Sequence, residues 1–285
     1  MAEIIRGTYD GHHGVFTSLS DDAVLWRYLD LTKLLALLED NALHFARADL
    51  LGDPFEGSEA ALNSEPPTHV FNVDRQELEE LDGEGRDRFR KIYEMMRPHR
   101  IAQRRWIWIS CWNHSPIESD ALWGRYVRAE YGVAIRSTFG RLTRSFGDPL
   151  PPQAERSQEP LPTDAPWPVY VGQVAYVDYA TAAWPHGNAF WPYVHKRLSF
   201  EHEHEVRALV TRMPTIEVDG EQRVEREADM PPGRLVAVDL GVLIESIHVS
   251  PVAPEWFSDL VRRVCARYGV AADVHQSELA ATPIF

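Results

Sequence analysis

Residues 196–210, Lys-Arg-Leu-Ser-Phe-Glu-His-Glu-His-Glu-Val-Arg-Ala-Leu-Val, set Glu201, Glu203 and Glu205 in alternation with His202 and His204 and then run into an apolar strand. On an extended segment successive side chains face opposite ways, which predicts three carboxylates on one face and two imidazoles on the other. Like charges along a strand face repel, so this row faces either solvent or something that wants carboxylates. Two carboxylates held close raise one of their pKa values, which suits a general base. A pair of them is therefore a candidate for acid–base chemistry, with ion pairs of Glu203 or Glu205 to Arg197 or Arg207 as the structural alternative. His202-x-His204 has a spacing used in some metal sites, with His186 and His195 nearby. The glutamates point the other way and no third ligand is evident, so no metal is expected.

Four further residues stand out by their surroundings. Arg27 lies inside the apolar strand Leu25-Trp-Arg-Tyr28, and a charge there needs a partner. That partner is an anionic ligand or a carboxylate, such as Asp53 or Glu56 of the turn Asp53-Pro-Phe-Glu56. Ser110 sits in a buried-looking strand at 106–112, where its hydroxyl serves a ligand or a backbone carbonyl. Trp123 and Tyr126, at helical spacing, either stack on a flat ligand ring or fill core. Cys111 and Cys265 sit in apolar surroundings and read as small buried hydrophobes.

The elements that must position these residues can be read in outline. Residues 1–23 form a loose lead-in and 24–28 a strand. Asp30 caps a helix whose Leu31, Leu34, Leu35 and Leu38 make a core-facing stripe. A strand at 43–46 and a turn-rich stretch at 49–57 follow. A helix near 89–96 aligns Phe89, Ile92, Tyr93 and Met96. Ser119 caps the helix of Trp123 and Tyr126, and 132–135 is a strand. Seven prolines at 147–168 mark a surface insertion or linker. Strands at 169–179, 205–211, 234–239 and 244–250 and a helix at 255–268 complete the chain. Strands in a row after mixed elements predict an α+β fold in one domain spanning 1–285.

Composition narrows the partners. The chain has 285 residues, 44% hydrophobic and 25% charged, which is ordinary for a globular protein. It lacks an apolar run long enough for a membrane span and a signal-peptide core, and its two cysteines do not form a disulfide scaffold. A cytoplasmic protein without membrane contact is expected. Twenty-nine basic against 43 acidic residues give a net charge of −14, which repels nucleic-acid backbones. A nucleotide ligand would then be a small molecule in a local pocket. There is no Gly-rich phosphate loop and no nucleophile elbow.

Four ordered segments resemble the bacterial DUF2971 family: Leu25-Trp-Arg-Tyr28; Phe45 through Asp53-Pro-Phe-Glu56; Ile109-Ser-Cys-Trp112 with Asp120-Ala-Leu-Trp-Gly-Arg-Tyr126 and Gly132; and Lys196, Phe200 and Glu203-His-Glu205-Val-Arg207. They span roughly 25–250. Gly52 stands where the family usually has Asn, and Phe200 where it usually has Trp. A more distant likeness is to ADP-ribosyltransferase-type folds, with Arg27, Ser110 and Glu203-His-Glu205 at the matching places. This resemblance implies a mixed or antiparallel split β-sheet with flanking helices and NAD, or a related nucleotide, as substrate. It implies ADP-ribose transfer to an unknown acceptor or NAD hydrolysis, and a toxin or defence-effector role. By the same resemblance Glu205 stabilises the oxocarbenium-like sugar and Glu203 orients the acceptor or takes its proton. Arg27 grips the phosphate, Ser110 meets the ribose or orders the catalytic glutamate, and Trp123 and Tyr126 stack on nicotinamide or adenine. A non-catalytic ligand- or protein-binding module and a metal-dependent hydrolase using the strand histidines are the alternatives from other classes.

Overall fold

The computed structural model describes residues 3–61, 83–127, 130–151, 165–185, 188–218 and 220–281, with the side chains of 83–86, 88–90, 92, 93 and 222 outside that description. In chain order the strands are β1 (Ile4–Ile5), β2 (Gly7–Tyr9), β3 (Val24–Asp30), β4 (Ala42–Arg47), β5 (Ile107–His114), β6 (Gly132–Thr138), β7 (Trp167–Gln173), β8 (Ala175–Val177), β9 (His195–Arg197) and β10 (Glu205–Thr211). They continue as β11 (Thr215–Val218), β12 (Glu221–Val224), β13 (Gly233–Ala237), β14 (Ser246–Val249) and β15 (Asp273–Gln276). The helices are α1 (Leu31–Asp40), α2 (Gly83–Gln103), α3 (Asp120–Tyr126), α4 (Phe139–Arg144), α5 (Leu240–Leu243) and α6 (Glu255–Arg267).

Eleven of the strands form one mixed sheet around β5. β10 pairs antiparallel along one edge of β5, from Glu205↔Asn113 to Thr211↔Ile107. Two strands share the opposite edge. β3 takes Leu25↔His114 and Trp26↔Asn113, while β4 takes Ala46↔Ile109 and Arg47↔Trp108. Between these pairings, residues 110–112 of β5 have no ladder partner on that side among the described residues, so the sheet forks. α1, the connection from β3 to β4, bridges the fork. Asp30 caps it by accepting from the Lys33 N–H at 2.8 Å, and Asn41 ends it in the left-handed region at φ 47°.

Alternation along β5 separates two cores. Trp108 and Trp112 join the main core with Leu34 and Leu38 of α1, Leu142 of α4, Leu243 of α5 and Phe257 and Val261 of α6. Ile107 and Ile109 face the other way, against Ala48, Phe190, Tyr193 and Val194. On that second face, Trp26, Tyr28, Leu122 and Trp123 form a satellite cluster.

The chain is thus α+β with a mixed sheet, as its element pattern predicts. Three local readings need correction. Residues 198–203 are a 3-10 helix rather than strand, and His204 turns the chain at φ 40° before β10 begins at Glu205. The lead-in is not loose: β1 pairs in parallel with β13, and β2 with β7. The α1 stripe also includes Leu37, while Leu31 and Leu35 are only half-buried. The helix expected near 89–96 lies within α2, but the side chains of Phe89, Ile92 and Tyr93 fall outside the described residues. So do 152–164 of the proline-rich stretch.

Candidate functional site

The fork opens a cavity of about 650 Å³ that residues of both sheet faces line. α1 closes one side with Lys33, Ala36, Leu37 and Asp40; the opposite side holds Lys196, Phe200, Glu203 and Glu205. A volume of this order suits a small-molecule ligand.

Arg27 stands where the two strands part. Its guanidinium donates to the Ser110 hydroxyl, to the Cys111 carbonyl at 3.4 Å and to the His44 carbonyl at 3.2 Å. These carbonyls belong to β5 and β4 at the fork, so Arg27 supplies donors where the ladder stops. No carboxylate among the described residues pairs with it. Asp53 binds Arg197 at 2.6 Å, and Glu56 binds Arg207 through both oxygens at 2.7 and 2.9 Å. Burial draws the Arg27 pKa down to about 10. A guanidinium without a counter-charge on a cavity wall is a place for an anion.

Across the cavity, Lys196 Nζ donates to Glu203 Oε2 at 2.6 Å and to Glu205 Oε1 at 2.8 Å. The second Glu205 oxygen accepts from Arg207 Nε at 2.7 Å. Lys196 and Arg207 are only 6% and 1% exposed, so these are buried charges joined in one network. Burial alone would lower Lys196, yet the two glutamates raise it. Burial would raise Glu205, yet Arg207 and Lys196 draw it down to about 2. Glu203 is raised by burial and by Glu205 beside it, against the pull of Lys196.

The two glutamates therefore differ. Both Glu205 oxygens are taken. Glu203 Oε1 makes no hydrogen bond, although Arg125 Nη2 lies 3.0 Å from it. The Asn113 Oδ1 acceptor and the Trp112 Nε1 donor, also on cavity-lining residues, are likewise buried without a hydrogen-bond partner. Cys111 faces the same space, but burial, reinforced by Glu205, pushes its thiol up to about 12, which makes it a poor nucleophile.

Of the six residues expected to form the site, Arg27, Tyr126, Glu203 and Glu205 line the cavity. Tyr126 is 43% exposed, and burial of its hydroxyl beside Glu203 pushes it up to about 12. Ser110 is buried and serves by holding Arg27. Trp123 does not reach the cavity: it packs edge-on to Tyr28 at 5.1 Å and donates to Glu118 at 3.0 Å. The histidine pair also dissolves as a strand-face site. His202 belongs to the 3-10 helix, His204 to the left-handed turn, and both are exposed. Among the described residues no three His, Cys, Asp or Glu side chains are placed to hold a metal ion, and His186 lies outside them. No helix among the described residues is long and apolar enough to cross a membrane.

Sequence reasoning missed Lys196 as the centre of the network and the Glu56–Arg207 pair, which joins residues 151 apart. The available signal was charge balance: three glutamates heading into an apolar strand require buried cations nearby. Comparison with protein-family models, with curated proteins and with solved structures gives no match to this chain.

Proposed function

We propose that the fork cavity binds NAD or a related nucleotide and that the chain transfers or hydrolyses its ADP-ribose unit, on a split sheet like that of ADP-ribosyltransferases. One observation carries the reading. Arg27 offers an uncompensated guanidinium to a cavity whose opposite wall presents Glu203 Oε1 without a hydrogen bond. A forked guanidinium suits a phosphate, as Lys does not.

Within this reading Glu203, rather than Glu205, takes the acceptor's proton. Its raised pKa suits a general base, and its Oε1 makes no hydrogen bond and faces only the half-exposed Arg125 at 3.0 Å. Glu205, with both oxygens engaged, anchors Lys196 and Arg207 and adds negative potential beneath the sugar as positive charge develops at its C1. Tyr126 at the rim offers a ring for stacking. A second reading, ligand binding without turnover, is favoured by the complete pairing of Glu205.

A thermal-shift titration with NAD, followed by assay of released nicotinamide, tests both. Ligand at 100 times its dissociation constant adds about 2.7 kcal/mol. The expected result is a shift in wild type that disappears in folded Arg27→Ala, with nicotinamide release abolished in Glu203→Gln. Binding without release selects the second reading. No shift at millimolar NAD overturns the nucleotide pocket.

A further inference from the structure

β14 places Ser246 and His248 two residues apart, so both side chains leave the sheet on one face. Register sets Ser246 beside Arg136 of β6 and Asp273 of β15, and His248 beside Ala134 and His275. His248 Nδ1 lies 2.8 Å from Glu118 Oε1, and its Nε2 lies 3.2 Å from Ser246 Oγ.

Glu118 enters from the turn before α3 and is held from several sides. It accepts from Trp123 Nε1 at 3.0 Å, from the Glu278 N–H at 3.3 Å and from the Ser277 hydroxyl. Burial would raise its pKa, yet these donors and His248 hold it below the usual range, so it is a carboxylate. A carboxylate only accepts, which puts a proton on Nδ1, so that in the neutral imidazole the Nε2 lone pair faces the serine. Trp26 meets the His248 ring edge-on at 4.9 Å and fixes its plane. The array thus has the order of nucleophile, base and orienting acid, on residues drawn from two distant parts of the chain.

We propose that Ser246, His248 and Glu118 form a nucleophilic acyl-transfer site, distinct from the fork cavity, that takes small neutral acyl esters. Ser246 Oγ bonds to the ester carbonyl carbon while its proton passes to His248 Nε2. The adduct then breaks its bond to the alkoxide, which leaves with that proton. Water, deprotonated by His248, releases the acyl group as a carboxylic acid and restores the serine. Arg136 beside Ser246 supplies positive charge for the adduct's oxygen, although it also pairs with Glu245. Asp273 on the other flank disfavours anionic substrates. Ser246 and His248 are each 8% exposed, and the exposed His275 lies 5.3 Å, ring to ring, from His248. Access is narrow, which restricts the site to small acyl groups.

A serine-directed fluorophosphonate on the full chain, with the adduct mapped by mass spectrometry, tests the site. The expected result is one adduct at Ser246, absent in Ser246→Ala and formed at least tenfold more slowly in His248→Gln. Glu118→Gln should slow it as well and change its pH profile. An unlabelled Ser246 in folded wild type, or an unchanged rate in folded His248→Gln, overturns the proposal. Should His248→Gln fail to fold, the wild-type pH profile decides. A rate following a single imidazole titration supports the site, and one that simply tracks hydroxide overturns it.

Discussion

The cavity has two charged walls, built differently. On the β10 side, Lys196, Arg207, Glu56, Glu203 and Glu205 are buried together and bond chiefly to one another. On the β3 side, Arg27 is held by a hydroxyl and two carbonyls. The desolvation of the first group is offset inside the protein by opposite charges in close contact. Neutral dipoles take three of the five N–H donors of Arg27 and leave its net charge uncompensated. The first wall is a closed electrostatic unit that fixes shape. The second is open to an incoming anion, and the difference locates anion binding on one side and, apart from the Glu203 Oε1 that makes no hydrogen bond, scaffolding on the other.

The comparison breaks most directly at Arg207. Arg207→Met removes the cation shared by Glu56 and Glu205 and leaves two buried carboxylates underpaired. Breaking a buried pair in this way costs about 3–5 kcal/mol. The urea midpoint should fall accordingly, and a change below about 1 kcal/mol, the range of surface pairs, would show that the wall is not a closed unit.

Acid should separate the two glutamates. Glu205 is drawn from 4.5 to about 2 in the folded chain. Its contribution, about 3 kcal/mol, is complete above the unfolded value and lost as pH falls through the folded one. Glu203 is raised, so its effect has the opposite sign. It binds its proton first in the folded state, and stability gains as pH falls from neutral toward 4.5. Burial lowers several histidines, His44 and His195 among them, and their charging opposes folding over the same range, so the Glu203 effect is read as a difference between variants. From neutral pH toward 4.5, wild type should gain stability relative to Glu203→Gln, while the fall below 4.5 is common to both. A difference that shrinks over that range would reverse the assignment of the two residues.

Arg27 should be less costly to lose. Arg27→Met keeps the aliphatic stem but strips donors from the Cys111 and His44 carbonyls, at about 1–3 kcal/mol. Removal of a buried, uncompensated charge offsets part of that. The variant should fold, with a smaller midpoint change than Arg207→Met. Equal losses would mean that Arg27 belongs to the scaffold as fully as Arg207 does.

Why some of this was legible in the sequence and some was not follows from the range of each interaction. Local signals held. Asp30 and Ser119 cap the helices after them, each accepting from the N–H three residues on. The apolar runs at 24–28 and 106–112 lie largely within β3 and β5. The site was partly visible because Arg27 is a charge in apolar company and Glu203 stands in a row of carboxylates running into an apolar strand. The alternation at 201–205 misled because it fits either a strand or a tight helix followed by a left-handed residue. His204 marks that turn only weakly: histidine is enriched in the left-handed region but points to it far less than glycine does. Trp123 misled because a tryptophan at helical spacing faces core or cavity according to which strand lies beneath it. The fork was invisible: it depends on two strands claiming opposite ends of one β5 edge, a pairing of distant segments.

The smallest expected effect tests whether the open wall depends on its cover. α1 spans the fork, and its first turn is fixed by Asp30, whose side chain takes the Lys33 N–H at 2.8 Å and the Thr32 hydroxyl at 2.5 Å. Asp30→Ala should cost about 1 kcal/mol, and Asp30→Asn, which also caps well, close to nothing. The exposed pair with Lys33 adds no more than a few tenths of a kcal/mol. Because Lys33, Ala36 and Leu37 line the cavity beside Arg27, fraying of this turn loosens the cover over the open wall. The closed wall, tied to β10 and the 3-10 helix, makes no use of that cap. Asp30→Ala should accordingly speed amide exchange in α1 and leave that of β10 unchanged. Equal acceleration in both would join the two walls into one cooperative unit and remove the distinction between scaffold and binding face.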